Sequence, residues 1–397
     1  METLSLGTLT LKPTRERSLK NRHPWIFSGA VAKVTHPSSD STLKLYKVLS
    51  DGGETLGTAY INEQCSLYGR VISWGKEDPF FSISQNVAGA IQLRKNFVLS
   101  DSTTGARLIH GEADGLPGFV ADYFNGHLVV QSSTKGADGL KNIIIEEIIK
   151  NISPLSILER SHSPSRKEEG LPPAEGQLLG TTPAQVQFLE DGLTFEADLF
   201  HGQKTGFFFD HREMRRLIGS LSKGKKVLNT FSYSGGFSLH AYRGAASSVT
   251  SVDVSKEASA LCAKNLSLNN MPTDGVVTAD VFDYINDTST GSYDGIVLDP
   301  PAFAKNKHSV KEALKGYYEI NRKALEKIPY GVGGLLLTCS CSYNVSFEEF
   351  KTMFFSVSRD AKRKIRILQS HRIGLDHPIS IYHPEGEYLK SLLVTVD

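Results

Sequence analysis

The chain has 397 residues, 40% hydrophobic and 22% charged, with a formal net charge of +1. That length exceeds one ordinary hydrophobic core and predicts two or three domains. The balanced charge excludes a uniformly polybasic or polyacidic protein, and no apolar stretch is long enough to span a bilayer, so no membrane role is expected.

Met1 to Thr10 lacks a basic start followed by an apolar core, so no signal peptide is expected. The segment that follows is strongly basic and carries an aromatic: Lys12, Arg15, Arg17, Lys20, Arg22 and Trp25. A charge run alone usually marks a solvated loop. Combined with an aromatic it points to a surface for phosphates and bases. Short alternating runs follow at Leu43 to Leu49, Leu56 to Ile61 and Leu67 to Trp74, separated by turn residues such as Asp51-Gly-Gly. These predict a small β-barrel or sandwich ending near residue 75.

Residues 76–190 read as a mixed α+β region. Phe80 to Leu99 has helical spacing. Strands are expected over Arg107 to His110, Gly118 to Tyr123 and His127 to Gln131, then a helix over Lys141 to Lys150. Ser161 to Gln177, rich in Ser, Pro, Lys and Glu, reads as an exposed loop.

From about 191 to 397 strands and helices alternate. Strands are expected over Lys226 to Thr230, Ser248 to Asp253, Val276 to Ala279, Tyr293 to Asp299 and Leu335 to Cys341. Helices fall between them, and Lys364 to Leu368 and Tyr388 to Val396 close the chain as strands. This rhythm predicts a parallel, doubly wound α/β sheet.

The strand ends carry the chemistry. The first strand runs into Asn229-Thr-Phe231-Ser232-Tyr-Ser-Gly235-Gly236, where paired glycines let backbone approach a ligand at a helix start. The second ends in Asp253, placed for a ribose diol. The third ends near Asp280 and Val281, placed for an adenine. The fourth ends in Asp299-Pro300-Pro301, a stiff turn that presents a carboxylate and carbonyls to a planar amine-bearing ring. Singly these are weak, since a glycine pair is usually a turn and a strand-end Asp often a helix cap. As an ordered series they fit a nucleoside cofactor. No G-x-G-x-x-G fingerprint is present, which argues against NAD and leaves S-adenosyl-L-methionine.

Four cysteines, Cys65, Cys262, Cys339 and Cys341, are too few and scattered for a disulfide scaffold and fit a reducing cytoplasm. None has zinc spacing, and no metal is expected. Cys65 and Cys262 read as structural. Cys339 and Cys341 end a buried strand two residues apart, so both are expected to face one site. Either could be a nucleophile, and spacing does not choose between them.

These residues resemble the class I methyltransferases. Further motifs sharpen the match: Gly202 to Arg212 (GQKTGFFFDHR), Gly111 to Gly118 (GEADGLPG), Glu159-Arg-Ser, Arg166 to Leu171, Leu298 to Phe303, Thr338 to Ser342, Asp376-His-Pro and Pro384 to Lys390. With Asn21 to Gly29 they are similar to the three-domain 23S ribosomal RNA cytosine-C5 methyltransferase family along nearly the whole chain. The resemblance implies a β-barrel PUA RNA-binding domain (1–75), a small α+β middle domain (76–190) and a Rossmann-like catalytic domain (191–397). It also implies cofactor contacts at Thr205, Phe207 and Asp210, 23S rRNA as partner and 5-methylcytosine as product, and it admits a homodimer. In such a reaction a thiolate adds at C6 of cytosine to make C5 electron-rich. Cys341 is the first choice for that role and Cys339 the second, with Asp299 holding the base. Many related enzymes carry a further cysteine after the Asp-Pro-Pro-like turn for product release. Ala302-Phe303-Ala304 has none. The competing readings are a methyltransferase acting on a purine nitrogen, which needs no cysteine, and a non-catalytic RNA-binding assembly factor.

Overall fold

A computed structural model of the chain describes residues 6–38, 43–304, 307–331, 333–371 and 373–397. The first five residues of the run read for a leader lie outside these. Two compact units are present: residues 1–189, 197–209 and 375–386 form one, and residues 190–196, 210–374 and 387–397 the other.

The first unit opens with a six-stranded sheet of β1 (Gly7–Leu11), β2 (Trp25–Phe27), β3 (Val31–Thr35), β4 (Leu45–Leu49), β5 (Thr55–Ile61) and β6 (Leu67–Trp74), with the short α1 (Arg17–Lys20) after β1. The strand order is β2-β6-β5-β4-β1-β3. Leu9, Leu11, Leu19, Ile26 and Val48 fill its core. Helix α2 (Pro79–Phe97) begins where Asp78 accepts hydrogen bonds from the Phe80 and Phe81 amides and Pro79 takes the first turn. A second sheet follows: β7 (Gly105–His110), β8 (Phe119–Phe124), β9 (His127–Ser132), α3 (Lys135–Ile152), β10 (Ser156–Ser161), α4 (Pro164–Glu168) and β11 (Ala174–Leu179). Helices α2 and α3 bury Ile83, Val87, Ile144 and Ile148 in one core with Leu108 and Val130 of the sheet.

The expected loop over Ser161 to Gln177 is instead helix α4 and the sheet-edge strand β11. Arg166 explains the correction. It is buried, and its guanidinium donates to Ser132 O, Ser132 Oγ, Asp138 Oδ1 and Pro172 O. A polar segment thus folds by satisfying buried carbonyls rather than by hiding apolar surface. Helix α3 also starts six residues earlier than expected. Gly136 looks like a breaker, but a Cβ there would strike the Tyr60 ring, so the glycine serves close packing.

After β12 (Gln185–Glu190) and β13 (Leu193–Asp198) the second unit continues with α5 (Arg212–Leu221), β14 (Lys226–Thr230), α6 (Gly236–Arg243), β15 (Ser248–Asp253), α7 (Lys256–Leu268), β16 (Val276–Thr278), α8 (Val281–Asp287), β17 (Gly295–Leu298), α9 (Val310–Lys327), β18 (Gly334–Ser340), α10 (Phe347–Asp360), β19 (Ile365–His371) and β20 (Lys390–Val396). Its seven strands run in the order β16-β15-β14-β17-β18-β20-β19. β20 is antiparallel to both of its neighbours, and β14 to β18 are mutually parallel. All seven residues of β18 are buried. Leu336 packs into one face with Leu392 and Val394, while Leu337 and Cys339 pack into the other with Leu393. Covering both faces is what a near-continuous apolar strand requires. Beneath α5 and α6 the fully buried Glu190 accepts two 2.6 Å bonds from Arg215 and lies 3.2 Å from His240. Burial alone would raise this carboxyl, but Arg215 and Arg212 hold it well below its ordinary range.

Candidate active site

The register of the second-unit sheet sets the site. Thr230 pairs with Val252 on one side and Leu298 on the other, and Leu298 pairs with Thr338. The residues just beyond that row, Phe231, Asp253, Asp299 and Cys339 to Cys341, therefore emerge at one edge of the sheet. The chain order reverses direction between β14 and β17, and that crevice is where open α/β sheets bind ligands.

The loop from β14 to α6 is wound tightly. Phe231, Tyr233 and Gly235 have φ of 54°, 43° and 79°. Left-handed conformations at two non-glycine residues cost energy and persist only where the surroundings enforce them. Asp253 is one enforcer: its Oδ2 accepts from the Tyr233 amide at 2.9 Å and its Oδ1 from the Ser255 amide at 3.0 Å. At Gly235 a Cβ would lie 2.6 Å from the Cys262 sulfur, so only glycine fits. Asn229 is held by Nδ2 donating to Ser238 Oγ, while its buried Oδ1 and the buried Ser232 Oγ have no protein partner. Two orphaned polar atoms beside a glycine cradle suit a polar ligand laid on this loop. Asp280 is exposed and caps α8, its Oδ1 accepting from the Phe282 and Asp283 amides. Val281 is buried behind it.

The two cysteines of β18 differ. Cys339 is fully buried in the core under α5 and α6. Burial, reinforced by the charge of Asp299, pushes its thiol well above the ordinary value. Cys341 lies just past the strand and is partly accessible. Its Sγ sits 3.7 Å from the Pro300 carbonyl of the Asp-Pro-Pro turn. Ser342 Oγ joins the two loops, accepting from the Ala304 amide at 3.1 Å and lying 2.9 Å from the Tyr317 hydroxyl. The buried Lys390 ammonium donates to Ser342 O and Val345 O and fixes the turn after Cys341. Cys262 is buried in α7, and Cys65 lies in the other unit with Sγ 3.4 Å from Glu168 O.

His211 is a residue that sequence reasoning quoted within a motif but gave no role. Its Nε2 lies 3.1 Å from Asp299 Oδ1. The imidazole is buried, whereas the Asp299 side chain stays 26% exposed. Burial lowers the imidazole pKa, but the charge and hydrogen bond of Asp299 and the charge of Asp210 outweigh it, and the net shift is upward. Ligand-type atoms of His211, Asp299 and Cys339 lie within 4.8 Å of one another. Nε2 is occupied by the carboxylate and buried Nδ1 has no acceptor behind it, so the trio is a hydrogen-bonded pair beside a buried thiol. Tyr388, also unassigned from sequence, donates its hydroxyl to Asp210 Oδ2 at 2.6 Å.

The remaining predicted positions are placed as follows. Thr205 and Phe207 belong to the first unit. The buried Thr205 hydroxyl donates to Asp122 Oδ2 at 2.5 Å, and Phe207 packs against Phe188 and Phe209. Lys12, Arg15, Arg17, Lys20 and Arg22 are exposed. Lys12 donates to Gly29 O, Lys20 pairs with Glu54, and Arg22 stacks over Trp74. Trp25 is half-buried, its indole N–H donating to Glu112 and its ring set 4.5 Å from that of His383.

A six-stranded β domain, a mixed middle region and this strand-end site define a class I methyltransferase. Residues 167–353 match the family described as S-adenosylmethionine-dependent methyltransferase, and residues 9–74 match a PUA-like domain. Ribosomal RNA large subunit methyltransferase I of Shewanella frigidimarina is 36% identical over 397 residues, covering 98% of this chain and 99% of its own. The same-named protein of Pseudoalteromonas translucida is 36% identical over 396 residues, covering 97% and 98%. The chain belongs to the ribosomal RNA large subunit methyltransferase I family. Among solved structures, SMU.776, assigned as a methyltransferase and crystallised with SAH, superposes with a TM-score of 0.80 at 27% identity, covering 98% of this chain and 99% of its own. Among the described residues no helix is long and apolar enough to cross a membrane.

Proposed function

We propose that the protein methylates C5 of a cytosine in 23S ribosomal RNA through a covalent adduct to Cys341, with the basic face of its N-terminal domain meeting the RNA. The named relatives act, by their names, on large-subunit ribosomal RNA. One observation carries the finer reading: of four cysteines, only Cys341 combines solvent access with a place at the active edge of the sheet. Transfer to a purine nitrogen would need the Asp-Pro-Pro turn but no thiol there.

S-adenosyl-L-methionine supplies an electrophilic methyl group. The loop of Phe231 to Gly236, with Asn229 Oδ1 and Ser232 Oγ as acceptors, would hold it. Asp253 keeps that loop wound, and Asp280 keeps one carboxylate oxygen for an adenine amine. Asp299 hydrogen-bonds the cytosine edge and steadies charge at N3. The base must leave its stack to reach this edge. Cys341 then adds at C6.

The test is methyl transfer from labelled cofactor to unmodified ribosomal RNA, with nucleoside identification. Wild type and Cys339→Ala should yield 5-methylcytosine, whereas Cys341→Ala should yield none. Transfer that persists in Cys341→Ala would sink the covalent route and shift the reading to a purine nitrogen.

A further inference from the structure

We propose that His211 is the positioning residue of the transfer step: through Nε2 it holds one oxygen of Asp299, leaves the other to the cytosine, and shares with it the proton that N3 takes up when the thiolate adds. This rests on the reading of Asp299 and Cys341 given above.

The geometry is specific. A carboxylate at the end of a strand turns freely unless something fixes it. Here the Asp-Pro-Pro backbone is rigid, and the 3.1 Å contact to a buried imidazole fixes the side chain. His211 is itself fixed, immediately before α5, with its ring 5.7 Å from that of Phe237 on α6. One end of the pair is therefore dry and the other open, the arrangement needed to pass a proton outward. The charged and titratable groups around the imidazole come from every neighbouring element: Asp299 after β17, Asp210 beside it in sequence, Arg215 on α5, and His371 on β19. Cys339 on β18 adds a neutral thiol. His371 is held neutral, at about 4, by its burial and by the charge of His211. The net shift of His211 is upward, opposite to that of His371.

The step balances. The Cys341 thiolate forms the S–C6 bond, and the C5–C6 π pair moves toward C5 and N3. N3 takes the proton from the His211–Asp299 pair. C5 then forms its bond to the methyl group as the sulfonium–methyl bond breaks, its electron pair going to that sulfur. Loss of the C5 proton to water re-forms the double bond and expels the thiolate, and the N3 proton returns to the pair.

The experiment compares wild type, His211→Gln and His211→Phe in single-turnover transfer to unmodified 23S rRNA between pH 5.5 and 9.5, with cofactor affinity measured alongside. Glutamine can still donate one hydrogen bond to Asp299 but cannot titrate. Wild type should show an acid limb from the thiol and an alkaline limb from the pair. His211→Gln should bind cofactor within about threefold of wild type, lose the alkaline limb, and turn over at least about 100-fold more slowly. His211→Phe should be slower still. A further readout is independent of the reaction: the His211 imidazole, followed by NMR, should titrate at lower pH in Asp299→Asn. 5-Methylcytosine formed by His211→Gln with the wild-type rate and profile would overturn the proposal alone. A wild type that methylates no cytosine would remove the reading beneath it, and the proposal with it.

Discussion

At the residue scale Gly235 is constrained twice over. It combines φ of 79° with a neighbour that leaves no room for a Cβ. Gly235→Ala should therefore lower the melting temperature, by about 1–3 kcal/mol in stability, and weaken cofactor binding more than tenfold in calorimetry. His371 makes a second expectation. Burial, then the charge of His211, lowers its folded pKa to about 4 from the ordinary 6.5. The unfolded chain binds the extra proton between those values and the folded chain does not. Stability should accordingly be complete above about pH 6.5 and decline as pH falls toward 4. Denaturant midpoints at pH 7, 6 and 5 check this, and His371→Asn should flatten that part of the profile. Gly235 stands in the glycine pair that the sequence singles out, whereas the neighbour whose charge depresses His371 comes from a distant part of the chain.

At the element scale, helix α8 is capped by a carboxylate that is also the proposed adenine contact. Asp280 uses Oδ1 for both amides of the first turn. Asp280→Asn keeps an oxygen for the cap but turns an amine toward the adenine amine. Thermal stability should hold within about 0.5 kcal/mol while cofactor affinity falls, whereas Asp280→Ala should lose both, at a cost of about 0.5–2 kcal/mol for the cap. The strands of the second unit were legible because central parallel strands are nearly continuous apolar runs, as at β18. β11 was not, because the edge strand Ala174–Leu179 (AEGQLL) has no alternation of apolar and polar residues. The start of α3 was hidden by Gly136, whose reason is an aromatic ring contributed by β5.

At the scale of the whole molecule, neither unit is a single stretch of chain. Residues 197–209 and 375–386 belong with the first unit, and 190–196 with the second. Arg94 of α2, fully buried, needs Asp114 and also the carbonyl of Asp376, far along the chain. A sequence read from left to right does not show such pairings. For the same reason the strand-end carboxylates and Cys341 stand out in the sequence, while the link from His211 to Asp299 does not. Glu190 plays the corresponding part in the second unit, holding Arg215 and standing beside Arg212 and His240. Glu190→Gln removes the buried charge that faces Arg215 and Arg212 and should destabilise by about 3–5 kcal/mol, read as a drop in the denaturant midpoint.

The position of β20 has a consequence for synthesis. It is made after both of its neighbours, yet it lies between them in the sheet. Its Leu392, Val394 and Val396 are buried. While the ribosome is still translating the segment after β19, both neighbours face an open slot and two rows of backbone amides lack partners. The loop that carries Cys341 also lacks Lys390, which fixes the carbonyls of Ser342 and Val345. A nascent chain therefore carries the Cys341 loop untethered until Lys390 has been made and has docked. That loop is fixed late, with the strand that closes the gap.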